Sequence, residues 1–322
     1  MTEKMKAMVF TKYGSPDVLQ LLDIDKPTPK ADELLVKVMA TAVNRADNHV
    51  LSGSLRFSTG LFKPKQRILG SDVAGVVEAV GDNVTQFQPG DAVFGDLSGA
   101  GRGGFAEFVT APEDVWASKP PNISYSEAAA APMTAVTALQ GLRDKGNLQP
   151  GQRVLIHGAS GGVGTFAVQI AKGLGGEVTA VVSGSKLEMV RSIGADHAID
   201  YTQEDFSQTG QQYDLIFDTV GNRSVAEYER ALVGNGRFVT TAFLPTLLWS
   251  RRNRNKKMVN MMARPNQQDL AFLAEQLAAG RIVAVIDRCF PLAEVPTALR
   301  YLAAGHARGK VIITMTASSE RG

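Results

Sequence analysis

The stretch "GASGGVGTFAVQIAKGLG", residues 158–175, decides the fold. It follows the apolar run "RVLIH" (153–157) and continues with apolar residues at helical spacing. Residues 159–164 fit G/A-x-G-x-x-G. Gly161 lets a backbone approach a pyrophosphate, and Gly164 lets the helix expected over 163–174 pack closely on a sheet. The first N–H groups of that helix face the anion. A bare match is weak in a chain with 32 glycines. Here a strand precedes the motif, a helix follows, and a second strand, "EVTAVVS" (177–183), lies beyond, which is the context a dinucleotide site requires.

Outward from this motif, apolar runs alternate with helical patterns. The runs are "HAIDY" (197–201), "YDLIFDTV" (213–220), "GRFVTTAF" (236–243) and "KKMVNMMA" (256–263), and "SKLEMVRSIG" (185–194) is one of the helices between them. Such spacing predicts a parallel sheet covered on both faces. Before the motif, "SYSEAAAAPMTAVTALQGL" (124–142) reads as helix, with Ser124 or Ser126 as its N-cap. Residues 1 to about 120 read instead as short strands and turns, a bent β structure. The tail adds two helices and the strands "RIVAVIDRCFPL" (281–292) and "GKVIITM" (309–315). These extend the sheet or return to the first domain, and pattern alone leaves both open. The expectation is an α/β chain, with a doubly wound Rossmann domain beside a β-rich domain.

Composition narrows the function. At 322 residues the chain is comfortable for two domains. A net charge of +2 lacks the basic field of a nucleic-acid binder, so no nucleic-acid partner is expected. No apolar run is long enough to span a bilayer, "MTEKMKAMVF" has no signal-peptide character, and stable membrane association is not expected. One cysteine, Cys289, permits no internal disulfide and fits the cytoplasm.

Cofactor choice is read after the second strand, in "AVVSGSK" (180–186). NAD sites place Asp or Glu there, bonded to the ribose 2′-hydroxyl. This chain has Ser183, with Lys186 three residues on and no acid in the turn to repel a 2′-phosphate. A charge-assisted hydrogen bond to that phosphate contributes roughly 1.5–3 kcal/mol. NADP(H) is therefore the expected cofactor.

The chain resembles the medium-chain dehydrogenase/reductase superfamily, most of all its zinc-independent, quinone oxidoreductase-like branch. The resemblance is carried by "AVNRADNHVLSG" (42–53), "LGSDVAGVVEAVGDNVTQFQPGDAVFG" (69–95), "GGFAEFV" (103–109), "AAAAPMTAVTAL" (128–139), residues 158–164, "GADHAIDY" (194–201), "FDTVG" (217–221) and "GHARGKVII" (305–313). It implies a GroES-like catalytic domain made of residues 1–122 and 266–322, a Rossmann domain over 123–265, and a homodimer built through the strand 256–263. It also implies that Gly161, Gly162 and Val163 cradle the pyrophosphate, and that Ser183, Lys186 and Tyr201 hold the 2′-phosphate. Thr137, Thr219, Thr241, Ala242 and Phe243 then face the nicotinamide ribose and ring, with Asn44 beside the ring.

Zinc members of the superfamily carry Cys where Asn44 stands and His-Glu where Ser71-Asp72 stands. With Cys only at 289 and His only at 49, 157, 197 and 306, neither family zinc site can be assembled, and no metal is expected. Without a Lewis acid, acceptors whose conjugation spreads the developing charge are favoured. The resemblance thus implies hydride transfer from NADPH to a quinone or an enone-type alkene or carbonyl. Enoyl-thioester reductases of the superfamily place a Tyr after the segment 42–53, and "LSGSLRFSTG" (51–60) has none. A nucleotide-binding sensor or scaffold is the other alternative.

Asn44, Asp47 and His49 are the candidates for proton delivery. Asp47 also reads as a helix cap, His49 as a surface residue and His157 as a packed polar residue. The basic run "WSRRNRNKKM" (249–258) reads as a solvated loop, a lid or a contact to anionic membrane.

Overall fold

The computed structural model describes residues 3–242 and 257–315. Their strands are β1 (Lys4–Val9), β2 (Gln20–Asp25), β3 (Glu33–Val43), β4 (Asp72–Val80), β5 (Ala92–Asp96), β6 (Phe108–Pro112), β7 (Trp116–Ser118), β8 (Arg153–His157), β9 (Glu177–Val182), β10 (His197–Asp200), β11 (Tyr213–Asp218), β12 (Leu232–Thr240), β13 (Lys257–Asn260), β14 (Ile286–Pro291) and β15 (Lys310–Thr314). The chain forms two compact units, residues 1–133 with 265–279 and 284–322, and residues 134–264 with 280–283.

The first unit is built on a sheet of order β14-β15-β3-β4-β5-β7, with β6 also paired to β3. β3 is the organiser. Register shifts at Leu35/Val36 and Val38/Ala40 bend it, which lets its two halves face different neighbours. Its first half pairs β6 through Glu33–Lys37 and its second half pairs β15, Val43 opposite Val311. The tail strands therefore return to the first unit, the point that sequence pattern left open. Val36, Val38, Val73, Val77, Val93 and Trp116 fill one core of this unit. Phe10, Leu69, Phe105, Val311 and Ile313 fill another, beneath helix Val295–Ala303.

The boundary differs from the expected 122/123. Helix Tyr125–Ala130 packs on β3, β4 and β15, so the first unit runs on to residue 133. Ser124 is its N-cap and closes a capping box with Glu127. Ala128, Ala129, Ala130 and Ala131 have no exposed surface, and side chains this small let the helix lie close on the strands. Residues 280–283 go the other way, because Gln169 bonds both the N–H and the carbonyl of Val283.

The second unit is a six-stranded parallel sheet of order β10-β9-β8-β11-β12-β13. Numbered from its first strand, the order is 3-2-1-4-5-6, the Rossmann arrangement. Chain direction reverses its lateral course between β8 and β11, where His157 stands opposite Asp218. Since every strand runs the same way, the residues that follow β8, β9, β10, β11 and β12 all emerge at one edge. β13 is an outer strand, with Met258 and Val259 half-buried.

Candidate active site

At the carboxyl end of β8 the chain turns at Gly158, whose φ of +84° disfavours any side chain. A Cβ there would also lie 2.4 Å from Thr219 Oγ1. Helix Gly162–Gly173 then starts, with Gly161 as an extended N-cap. Gly164 passes so near the turn that a Cβ would meet Gly158 O at 2.1 Å. A Cβ on Gly161 would instead project into a hollow, its nearest neighbour at 3.6 Å. The first intrahelical bond is Thr165 N–H to Gly161 O, 2.9 Å, so the N–H groups of Gly162, Val163 and Gly164 precede the helical ladder. An open hollow capped by three such donors fits a diphosphate.

The ends of β9 and β10 are tied together. Tyr201 N–H donates to Val182 O at 3.0 Å, and Lys186 N–H donates to Ser183 O at 2.9 Å. Ser183, Lys186 and Tyr201 thus sit on adjacent strand ends, with Tyr201 53% exposed. One expectation needs correction here. No acid stands in the turn 183–186 itself, yet a carboxylate reaches it from the next strand. Asp200 accepts from Thr202 N–H at 3.0 Å and Thr202 Oγ1 at 2.8 Å, and its other bond is to the Gly184 N–H. A Cβ on Gly184 would meet Asp200 Oδ2 at 2.5 Å. The Thr202 bonds, with Gly184 assisting, hold this carboxyl below the usual range. A reading of strand two alone could not see a neighbour brought in by parallel pairing.

On the other side of β8, Thr219 donates its N–H and its hydroxyl to His157 O, each at 3.0 Å. Thr241 N–H donates to Asp218 O at 3.0 Å. Thr219, Thr241 and Ala242 therefore flank the glycine turn at the same sheet edge. Thr137 is buried on helix Pro132–Leu139. Phe243 lies outside the described residues, as do residues 249–256 of the basic run.

In the first unit, Asn44 caps helix Arg45–Leu51 and is 6% exposed. Its amide is held at both ends. Nδ2 donates to Asp72 Oδ2 at 2.9 Å, and Oδ1 accepts from Lys310 Nζ at 2.7 Å. Lys310, only 2% exposed, also bonds Asp72 Oδ2 at 2.9 Å, while Asp72 Oδ1 accepts Met133 N–H at 2.7 Å. Asp96 lies near this pair. Burial, with the Asp72 charge beside it, pushes its carboxyl up to about 6. Asp47 is fully buried and accepts from Asn44 N–H at 2.8 Å and Gly70 N–H at 3.2 Å, so its carboxylate serves the helix cap. Burial raises it to about 6 despite those bonds. His49 is exposed in the last turn of the same helix.

Residues 30–121 match the family model "Alcohol dehydrogenase GroES-like domain", and residues 193–313 match "Zinc-binding dehydrogenase". A chloroplast envelope quinone oxidoreductase homolog of Arabidopsis thaliana is 32% identical over 96% of this chain and 98% of its own. The chain belongs to the quinone oxidoreductase-like branch of the medium-chain dehydrogenase/reductase superfamily. An NADPH-dependent alkenal/one oxidoreductase of the same plant, chloroplastic, is 34% identical over 97% of this chain and 80% of its own. The structure of the quinone oxidoreductase from Coxiella burnetii superposes with a TM-score of 0.90 at 29% identity, covering 98% of this chain and all of that one.

The zinc members of this superfamily bind their metal at the positions that Asn44, Ser71 and Asp72 occupy in this quinone oxidoreductase-like chain. Asn44, Ser71 and Asp72 offer an amide, a hydroxyl and a carboxylate, and a buried ammonium already occupies the carboxylate. Such a set does not fit zinc, which takes thiolate, imidazole or free carboxylate. Among the described residues no cluster of three His, Cys, Asp or Glu could hold a metal ion. The roles of Lys310 and Asp218 are not read from the sequence. The available signals were a lysine opening the apolar strand "KVIIT" and an acid closing "YDLIFD".

The raised carboxyl of Asp47 makes a pH prediction. A folded-state value above the ordinary one favours the protonated form, so its contribution to stability is present near pH 4 and lost as pH rises through about 6. Asp47→Asn keeps a carbonyl acceptor for the cap and removes the titration. The fall in Tm between about pH 4.5 and about pH 7 should be smaller in this variant than in the wild type, as read by thermal melts followed by circular dichroism. Equal falls would mean that Asp47 is already ionised at low pH.

Proposed function

We propose that this chain is an NADPH-dependent oxidoreductase that delivers hydride to quinones or to enone-type alkenes and carbonyls. The observation that carries the reading is the carboxyl edge of the parallel sheet. There the glycine cradle of 161–164 shares the sheet edge with the turn that carries Ser183 and Lys186, and Tyr201 N–H bonds Val182 O at the start of that turn. The names of the relatives support it, since one is a quinone oxidoreductase homolog and another an NADPH-dependent alkenal/one oxidoreductase.

NADPH, when bound, supplies the hydride. The residues here bind and orient it. Gly161 leaves an unfilled hollow for the diphosphate, and the backbone N–H groups of Gly162, Val163 and Gly164 face it. Lys186 and Ser183 supply a cation and a hydroxyl to the 2′-phosphate, with Tyr201 alongside. Asp200 faces the backbone of the turn through the Gly184 N–H. Thr219 and Thr241 meet the nicotinamide half. Conjugated acceptors suit such a site, because positioning and hydrogen bonding then carry most of the catalysis. The exposed Cys289 fits a reducing compartment such as the cytoplasm. The edge strand β13, with its half-buried apolar residues, is a template for pairing with a second copy.

Three measurements bear on this reading. NADPH oxidation should be fast with at least one of a panel of quinones, 2-alkenals and enones, and undetectable with simple ketones. No turnover across the panel would leave a nucleotide-binding scaffold as the better account. Lys186→Ala should raise the KM for NADPH by about 10- to 100-fold with little change for NADH, and Ser183→Asp should reverse the preference. Equal effects on both nucleotides would show that the 2′-phosphate is not held at this turn. Light scattering at micromolar concentration should return the mass of two chains, and a monomer mass would exclude pairing through β13.

A further inference from the structure

Asp218, at the end of β11, is fully buried, and donors surround its carboxylate. Oδ1 accepts Val220 N–H at 3.0 Å and lies 3.0 Å from His157 Nδ1 at the end of β8. Oδ2 accepts Gly221 N–H at 3.1 Å and the Thr240 hydroxyl at 2.7 Å. The Thr240 oxygen in turn accepts Ala242 N–H at 3.0 Å. The Tyr228 hydroxyl stands 3.0 Å from His157 Nδ1 and donates to the same carboxylate. Aromatic contacts with Phe206 and Phe238 hold this His–Tyr pair in place. One carboxylate therefore fixes two loops, residues 219–221 and 240–242, against the strand that leads into the glycine turn.

The bonding is one-sided. Among the described residues, none of the bonds of Asp218 reaches the turn 183–186 or Tyr201, which lie on the β9 and β10 side of β8. We infer that Asp218, relayed by Thr240, is a positioning residue for the nicotinamide half of the dinucleotide and not for its adenosine half. The inference rests on the dinucleotide reading above and adds to it a division of labour across β8. A buried carboxylate suits the role, because charge-assisted bonds in a low dielectric hold backbone N–H groups more firmly than neutral acceptors do.

The test separates the two halves with 2′,5′-ADP, which carries the adenosine phosphates and no nicotinamide. Titration calorimetry of the full chain would give the Kd of NADPH and of 2′,5′-ADP. Asp218→Asn and Thr240→Val should each weaken NADPH by about tenfold or more and leave 2′,5′-ADP within about twofold. Thr240→Ser retains the hydroxyl and should bind both as the wild type does. Equal weakening of both ligands would reveal a general disturbance of the sheet and overturn the assignment, as would unchanged NADPH affinity in both variants. If Asp218→Asn fails to fold, the Thr240 pair decides alone. A wild type that binds neither ligand would remove the dinucleotide reading itself, and the inference with it.

Discussion

The second unit depends on a close approach between the end of β8 and the first turn of the helix that follows it. Gly164 comes so near Gly158 that the smallest side chain would overlap a carbonyl oxygen. With that contact made, the helix N-terminus faces the sheet edge and the hollow at Gly161 stays open. Thr219 closes the other side by bonding the His157 carbonyl and packing over Gly158. The turn is thus held from within by glycine and from beside by the neighbouring strand. A turn held this way keeps its hollow and its unladdered N–H groups in place by the fold itself.

Buried charge is handled in two ways. In the second unit a lone carboxylate, Asp218, is satisfied by N–H and O–H donors, with His157 as its imidazole partner. The bonds with His157 lead in holding its carboxyl below the usual range despite burial. In the first unit an ammonium and a carboxylate, Lys310 and Asp72, lie in contact with scarcely any exposure and share the Asn44 amide between them. Removing water from such a pair is costly, and only good geometry with further hydrogen bonds offsets the cost. Here the Met133 N–H and Asn44 supply those bonds. The ammonium lies against residues at positions where zinc members of the superfamily carry metal ligands, which leaves the Asn44 amide with one orientation.

Much of this was legible along the chain. Parallel-strand spacing, the glycine turn and the helix N-cap at Ser124 or Ser126 follow from local pattern, because period, capping and turn chemistry act over a few residues. The site was legible only where its members are sequential. Gly161, Gly162 and Val163 form one such run, and Ser183 with Lys186 forms another. From sequence Asp47 reads both as a candidate for proton delivery and as a helix cap, and its bonds to the Asn44 and Gly70 N–H groups serve the cap.

The sequence by itself determined that a dinucleotide-type turn exists and that a run of parallel strands surrounds it, with Asn44, Ser71 and Asp72 at the positions where zinc members of the superfamily carry their ligands. Only the tertiary structure decided which distant groups share a hydrogen bond. Asp200 reaches Gly184 because parallel pairing sets it beside Val182. Asp218 meets His157 because β11 lies next to β8, 61 positions back in the chain. Lys310 meets Asn44 across a separation of 266 residues because β15 returns to pair with β3. Burial and strand pairing select these partners, and both depend on packing of the whole unit, which no local stretch of chain encodes.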